Sequence, residues 1–223
     1  MLPAMAGGTE DAQLMTRYAT GDVAAFETLY SRHKGPLYRY FLRQCGDPEL
    51  AAELFQEVWV RIIKARERYE PRARFTTYMY QIGHNCLVDH YRKTGRSLTD
   101  GSGEAPIEQI PDPLAEELAP AFASARWALV DWEQGPADSA PGPEAANSVA
   151  QRAARLWSAL EALPPEQREA FLLHEEGEMG LAEIAAVTGA NAETVKSRLR
   201  YAVRKLRGAL GDLAPASSRE ALS

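Results

Sequence analysis

The chain has 223 residues, 45% of them hydrophobic and 25% charged, and carries a net charge of −6. Such a chain can build one large or two small globular domains. No apolar run approaches membrane-spanning length, and the start MLPAMAGGTEDAQ lacks the basic and apolar regions of a signal peptide, so a cytoplasmic protein without membrane insertion is expected. In that compartment the two cysteines, Cys45 and Cys86, make no disulfide framework.

The overall acidity speaks against nucleic acid as a partner, but the charge is unevenly placed. Residues 1–30 carry −3, residues 31–96 carry thirteen basic against seven acidic groups, residues 97–150 one against ten, and residues 151–223 ten of each. Within the last segment, residues 193–208 hold six basic groups against Glu193 alone. Two basic regions thus flank an acidic connector, and local charge is what meets phosphate.

In chain order, residues 1–13 read as a disordered start. Asp22 caps a helix through Phe26, Leu29 and Tyr30, and after Pro36 a second helix carries Leu37, Tyr40 and Phe41. A third helix starts at Pro48 and aligns Leu50, Leu54, Val58 and Ile62. Tyr69 to Arg74 is a basic loop, and Phe75 to Arg92 is a fourth helix with Tyr78, Met79, Ile82, Cys86 and Leu87 as apolar members. Strand-like alternation and internal repeats are absent, which makes the chain all-α.

Residues 97–150 are rich in Pro, Gly, Ala, Asp and Glu, with PDP at 111–113 and PADSAPGP at 136–143, a composition that sustains no core of its own. Inside this linker Asp112 and Pro113 can start a short helix carrying Leu114, Leu118, Phe122, Ala125, Leu129 and Trp132, with Pro120 breaking or kinking it. Residues 214–223 read as a disordered tail.

The most informative stretch is LAEIAAVTGANAETVKSRLRYAVRKL, residues 181–206. A first helix carries Leu181, Ile184, Ala185 and Val187 and stops at Gly189, the residue that most easily takes a left-handed backbone. Asn191 then caps a second helix with Val195, Leu199, Val203 and Leu206 on one inward stripe. The outward face offers Thr194, Ser197, Tyr201 and Arg204, flanked by Lys196, Arg198 and Arg200. This is a helix-turn-helix, and its cationic, hydrogen-bonding face suits a major groove.

Enzyme signatures are missing: no Gly-rich phosphate loop, no nucleophile elbow, no pair of zinc-spaced CxxC units. His84, Cys86 and His90 share a helix but face irregularly and supply at most three ligands, so neither a metal nor a cofactor is expected. The run Arg66, Arg68, Tyr69, Arg72, Arg74, Phe75, Tyr78, Tyr80, His84, Asn85, Tyr91, Arg92, Lys93 interleaves rings with cations. Unstacked bases stack on rings while Lys and Arg follow the backbone, so the run suits single-stranded DNA, although about half of its rings must pack inward.

Together the two halves resemble the extracytoplasmic-function (ECF) sigma factors of bacterial RNA polymerase, within the sigma-70 family, over residues 14–93 and 151–210. GDVAAFETLY resembles the family's opening helix, ELFQEVWVRIIKARERYEP its polymerase-binding helix and FTTYMYQIGHNCLVDHYRK its promoter-melting helix. ALEALPPEQREAFLLHEEGEMGLAEIAAVTGANAETVKSRLRYAVRKLR is similar to its terminal DNA-binding domain. Tyr78 stands where the family usually has Trp, and Glu53 where Asp is common.

The resemblance implies a four-helix sigma-2-like domain at 14–96, the acidic linker at 97–150, and a sigma-4-like helix-turn-helix domain at 151–213. It implies polymerase contact through Glu53, Gln56 and Glu57, which can pair with Arg side chains on the clamp of the largest subunit. It places Tyr69, the 70–74 loop with Arg72 and Arg74, and Asn85 where a flipped base of the −10 element is received, with Arg92 further along the same basic run. Lys196, Ser197, Arg200 and Tyr201 fall at the −35 element, beside Thr194 and Arg204.

The implied partners are RNA polymerase core and promoter DNA, double- and single-stranded, and the family commonly adds an anti-sigma factor. The expected function is a transcription initiation factor that is not itself an enzyme. Two other readings stay open on the residues alone: a helix-turn-helix regulator acting independently of the polymerase core, and a helical interaction protein with no DNA role.

Overall fold

The computed structural model describes residues 6–95 and 154–210, and the regular structure among them is helical. In order these are α1 (Ala6–Ala19), α2 (Val23–Cys45), α3 (Pro48–Ala65), a short 3₁₀ turn (Arg66–Arg68), α4 (Phe75–Lys93), α5 (154–161), α6 (Pro165–Glu175), α7 (Leu181–Thr188) and α8 (Ala192–Leu210). The proposed linker helix around Leu114 to Trp132 and the tail at 214–223 lie outside the described residues. The described part falls into two compact units. One draws on Met1–Gly101 and Leu172–Val195, the other on Ser102–Phe171 and Lys196–Ser223, so α6 and α8 contribute to both.

Local chemistry sets the helix starts. The Asp22 carboxylate accepts from the Ala25 amide at 3.2 Å, and Asp47 accepts from Glu49 and Leu50 at 2.9 and 3.3 Å ahead of Pro48 in the first turn. Each cap satisfies amides that the helix cannot pair internally.

Two elements differ from the sequence reading. Residues 6–13, part of the stretch expected to be disordered, belong to α1, and the reason is tertiary. Asp11, only 7% exposed, accepts from Arg32 at 2.8 Å and lies 2.8 Å from His33 Nε2, while Glu10 takes the other Arg32 nitrogen at 2.9 Å and Leu14 and Met15 are buried. The pieces on either side of Pro36, expected as separate helices, form the single helix α2. Proline removes one amide donor and crowds the preceding turn. Burial of Ala25 and Leu29 before it and Leu37, Tyr40 and Phe41 after it outweighs that penalty.

The core of the first unit lies where α2, α3 and α4 meet. Tyr40 and Phe41 from α2, Val58 and Ile62 from α3, and Phe75, Met79, Tyr80 and Leu87 from α4 are all at most 1% exposed. Tyr40 and Tyr80 meet edge to face at 5.2 Å, a favoured aromatic arrangement. At Gly83 the helices come so close that a Cβ would stand 3.3 Å from the tip of the Phe41 ring. Leu172, Leu173, Met179, Ile184, Val187 and Val195 are buried in the same unit. In the second unit Leu156, Leu160, Leu163 and Phe171 are buried, as are Leu199, Ala202, Val203 and Leu206 of α8. There Arg168 reaches the Glu161 and Leu163 carbonyls at 3.2 Å, covering the end of α5.

The Asp11 cluster has a testable pH signature. Burial alone would raise its pKa, but the hydrogen bonds and charges of His33 and Arg32 outweigh it and hold the carboxyl below its ordinary value. A depressed carboxylate contributes stability that is fully present above the unfolded-state pKa, about 3.9, and is lost as pH falls through the folded value. Asp11→Asn is therefore expected to cost about 1.5–3 kcal/mol near neutral pH. Paired melts of the two chains should show that gap closing below pH of about 4.

Candidate nucleic-acid interface

Two surfaces collect the residues singled out by the sequence, and each is shaped by one helix. The first is α4 with the loop before it. Tyr69 is half-buried and its ring meets that of Tyr78 in a T-shaped contact at 5.2 Å. Burial, with lesser effects from Tyr78 and Asp11, raises the Tyr69 hydroxyl to about 12, so it stays protonated and remains a hydrogen-bond donor.

Tyr78, Asn85 and Arg92 recur every seven residues and so share one side of the helix. Asn85 and Arg92 are exposed. From Arg74, just ahead of the helix, to Arg92 the rise is about 27 Å, long enough to follow an extended strand. Rings stand at the head of this track, and an amide and a cation follow.

The cations of the track already have anionic neighbours. Arg72 pairs with Glu70 at 2.5 Å, an exposed pair that competes freely with water. Arg92 donates to Asp89 at 3.0 Å. Arg74 donates to the Glu178 carbonyl at 3.2 Å and approaches Glu183 Oε2 at 3.4 Å. Thr77, which the sequence reading passed over, is 8% exposed and donates to Glu183 Oε1 at 2.8 Å. Sequence separations of more than one hundred residues leave no local signal for such pairs.

The second surface is the helix-turn-helix. Gly189 takes the left-handed conformation, φ +68°, and Asn191 Oδ1 accepts from the Thr194 amide at 2.7 Å, so turn and cap form as expected. Ile184, Val187, Val195, Leu199, Val203 and Leu206 are buried, while Leu181, an apolar member of the first helix, is 36% exposed because it stands in the first turn, at the helix edge. On the outward face Thr194, Lys196, Ser197, Arg200 and Tyr201 are half-buried and Arg204 is exposed. The Arg204 guanidinium sits 4.9 Å from the centre of the Tyr201 ring, which pre-orients both groups. Arg198, read as a flank of this face, instead pairs with Glu166 at 2.8 Å, with side chains only 21% and 12% exposed.

A third group lies on α3. Glu53, Gln56 and Glu57 are exposed and lie at i, i+3 and i+4, one face of the helix. Glu57 accepts from Arg61 at 2.7 Å. Beside them is an aromatic cluster that the sequence reading did not single out: Trp59 meets Tyr30 at 5.0 Å and Phe26 at 5.7 Å, and Tyr30 meets Phe55 at 6.2 Å. Its signal was the i, i+4 pairs Phe26–Tyr30 and Phe55–Trp59. Tyr30 and Val60 stay 37% and 45% exposed. His84, Cys86 and His90 are not brought together as ligands, and no metal-ligating cluster occurs among the described residues. Burial raises the Cys86 thiol to about 11, which keeps it an uncharged packing group.

The chain matches known proteins region by region. Residues 29–97 match Sigma-70 region 2 and residues 153–206 match Sigma-70 region 4. The chain belongs to the sigma-70 family, as an ECF sigma factor. It is 29% identical to the ECF RNA polymerase sigma factor SigE of Mycolicibacterium smegmatis over 85% of its own length and 64% of that protein's. To the RNA polymerase sigma factor CarQ of Myxococcus xanthus it is 27% identical, over 89% and 97% of the two chains. It thus spans slightly less than two thirds of SigE and nearly all of CarQ.

Among solved structures it resembles the fold of CnrH, determined in complex with the cytosolic domain of CnrY, at a TM-score of 0.56 and 24% identity over 92% of this chain and 99% of that one. The sigma factor RpoE from Bartonella quintana, solved with the anti-sigma factor NepR, gives a TM-score of 0.55 at 18% identity, covering 83% and 96%. ECF sigma factors are transcription initiation factors and are not enzymes. No helix among the described residues is long and apolar enough to cross a membrane.

Within this sigma factor the ion pair of Arg198 separates it from its neighbours on α8. Arg198→Ala is expected to lower stability by about 1–3 kcal/mol through the loss of a shielded charge-assisted bond, with promoter preference retained. A melt alongside gel shifts checks this, and Arg200→Ala should show the opposite pattern.

Proposed function

We propose that this chain joins RNA polymerase core, reads the −10 and −35 promoter elements, and helps to open the duplex between them. The observation that carries the proposal is the face of α4, where the Tyr69–Tyr78 ring pair stands ahead of Asn85 and Arg92, in the same chain as a fully capped helix-turn-helix. Rings capture an unstacked base, an amide can pair with its Watson–Crick edge, and Arg92 can follow the backbone. Arg72 and Arg74 supply phosphate contacts beside the captured base. On α8, Lys196, Ser197, Arg200 and Tyr201 read the −35 element in the major groove, with Thr194 and Arg204 at the edges.

Glu53, Gln56 and Glu57 contact the clamp of the largest polymerase subunit. Their shared exposure supports this, as does the Arg61 pair, which shows that Glu57 already accepts a guanidinium. The functional domains are residues 14–96, extended by α1, and 151–213, with 97–150 as linker. The factor works in the cytoplasm, where its polymerase is, and an anti-sigma protein binds it, as NepR binds the similar sigma factor RpoE of Bartonella quintana.

The deciding experiment is run-off transcription. Core polymerase with this chain should start transcripts at a discrete promoter, whereas a regulator independent of the polymerase would bind duplex DNA and create no new start site.

Substitutions on the three surfaces test the separate roles. Glu57→Lys and Gln56→Ala should weaken core binding without lowering the melting temperature, because both side chains lie off the buried Leu54, Val58, Ile62 line. Arg200→Ala or Lys196→Ala should lose about 1–3 kcal/mol of −35 discrimination, seen as a loss on the cognate site larger than on unrelated duplex. Asn85→Ala should leave closed complexes intact and slow opening, by weakening capture of the single strand; normal opening rates would remove the melting role from α4.

A further inference from the structure

Residues 176–183 make a set of contacts that neither the family assignment nor the promoter reading uses. Glu176, with a side chain only 6% exposed, accepts from Arg39 Nε at 2.9 Å and pairs with Arg43, itself 2% exposed; both arginines belong to α2. Gly177 lies so near Tyr80 of α4 that a Cβ would stand 3.2 Å from its ring, and only 2.6 Å from the Leu173 carbonyl. Glu178 gives its carbonyl to Arg74, and Glu183 accepts from Thr77 and approaches Arg74. The same Glu183 also accepts from the Gly180 amide at 3.1 Å, covering the start of its own helix. One carboxylate therefore both starts the first helix of the helix-turn-helix and ties it to the head of α4. All of these residues belong to one compact unit.

We propose that Glu176 and Glu183 form an intrachain latch that holds the first helix of the helix-turn-helix on α2 and α4 in the free protein, and that promoter DNA enters only when the latch opens. The proposal rests on the reading of α4 as the single-strand surface. Its chemistry is an exchange of anions: the guanidinium of Arg74 meets a carboxylate when latched and a phosphate when open, and it cannot orient toward both. Thr77 and Tyr80, 8% and 1% exposed, show how fully the contact closes this end of the helix. The two carboxylates are not equivalent. Glu176 sits in a shielded pair that is costly to break one-sidedly, whereas Glu183 and Arg74 are 27% and 35% exposed, so release starts at Glu183.

The test uses the full chain in three forms: wild type, Glu183→Gln, and Glu176→Gln/Glu183→Gln, with Glu193→Gln on the exposed start of α8 as a charge control. Hydrogen exchange at the amides of 75–80 and 181–188 reads the latch. Affinity for a labelled oligothymidylate, a sequence-neutral single strand, reads access to α4. The double variant should exchange and bind about tenfold or more faster and tighter than wild type, since removing a bias toward the closed state raises the competent fraction in proportion. Glu183→Gln should gain severalfold, and Glu193→Gln should match wild type.

Should the double variant lose its cooperative melt, Glu183→Gln decides alone, because its partly exposed site does not threaten the fold. Wild-type exchange in Glu183→Gln overturns the latch. Faster exchange without tighter oligothymidylate binding overturns the gating role. Failure of the underlying reading appears elsewhere: core polymerase with wild type and with the variants would start no transcript at all.

Discussion

The crossing of α2, α3 and α4 at Gly83 is the constraint on which the first unit depends. The tip of Phe41 and the edge of Tyr40 fill the space that a side chain at 83 would take, and Val58 approaches from α3. Interiors are packed as tightly as organic crystals, so such a contact fixes helix position to within a few tenths of an ångström. Because α4 is held there, Tyr78, Asn85 and Arg92 are presented along one side, and the loop ahead of the helix brings Tyr69 against Tyr78. The arrangement of the outer face of α4 is the consequence of an inner contact.

The same helix shows how one scaffold serves two chemistries. Its inner residues, Phe75, Met79, Tyr80 and Leu87, are hydrocarbon and ring, and they exclude water. Its outer ones are an amide, a cation and a phenol that stays neutral, groups that pair with bases and phosphates. Nearly every cation near this face is matched by a carboxylate from the chain itself, Glu70 for Arg72, Asp89 for Arg92 and Glu183 for Arg74. The exposed pairs of Arg72 and Arg92 contribute little to stability and dissociate readily. That of Arg74 is half-buried, and Thr77 holds the same carboxylate.

The net charge of −6 is then consistent with a DNA-binding protein. The most acidic segment is 97–150, ten acidic groups against one basic, and it lies away from the two basic regions in sequence. Screening limits the reach of exposed charges to about 8 Å at physiological salt, so a phosphate senses the cations around it and not the whole-chain sum.

Much of this was legible in the sequence, because the signals are local. Capping residues, Gly189 and the Val195, Leu199, Val203, Leu206 stripe act over one or two turns, and each appears in the structure as read. The same holds for the exposed trio Glu53, Gln56 and Glu57, which follows from helical period once the buried line Leu54, Val58, Ile62 is known. What only the tertiary structure decided was which residues far apart in the chain satisfy one another. Helix α1 has no strong pattern of its own and exists through Asp11 meeting Arg32 and His33. Helix α2 continues past Pro36 because both of its halves are buried. Arg198 is withdrawn from the outward face of α8 by Glu166, and Arg74 and Thr77 meet Glu183. Propensity and periodicity describe neighbours along a chain, whereas a buried charge selects its partner by desolvation and geometry, and no spacing in the sequence records that choice.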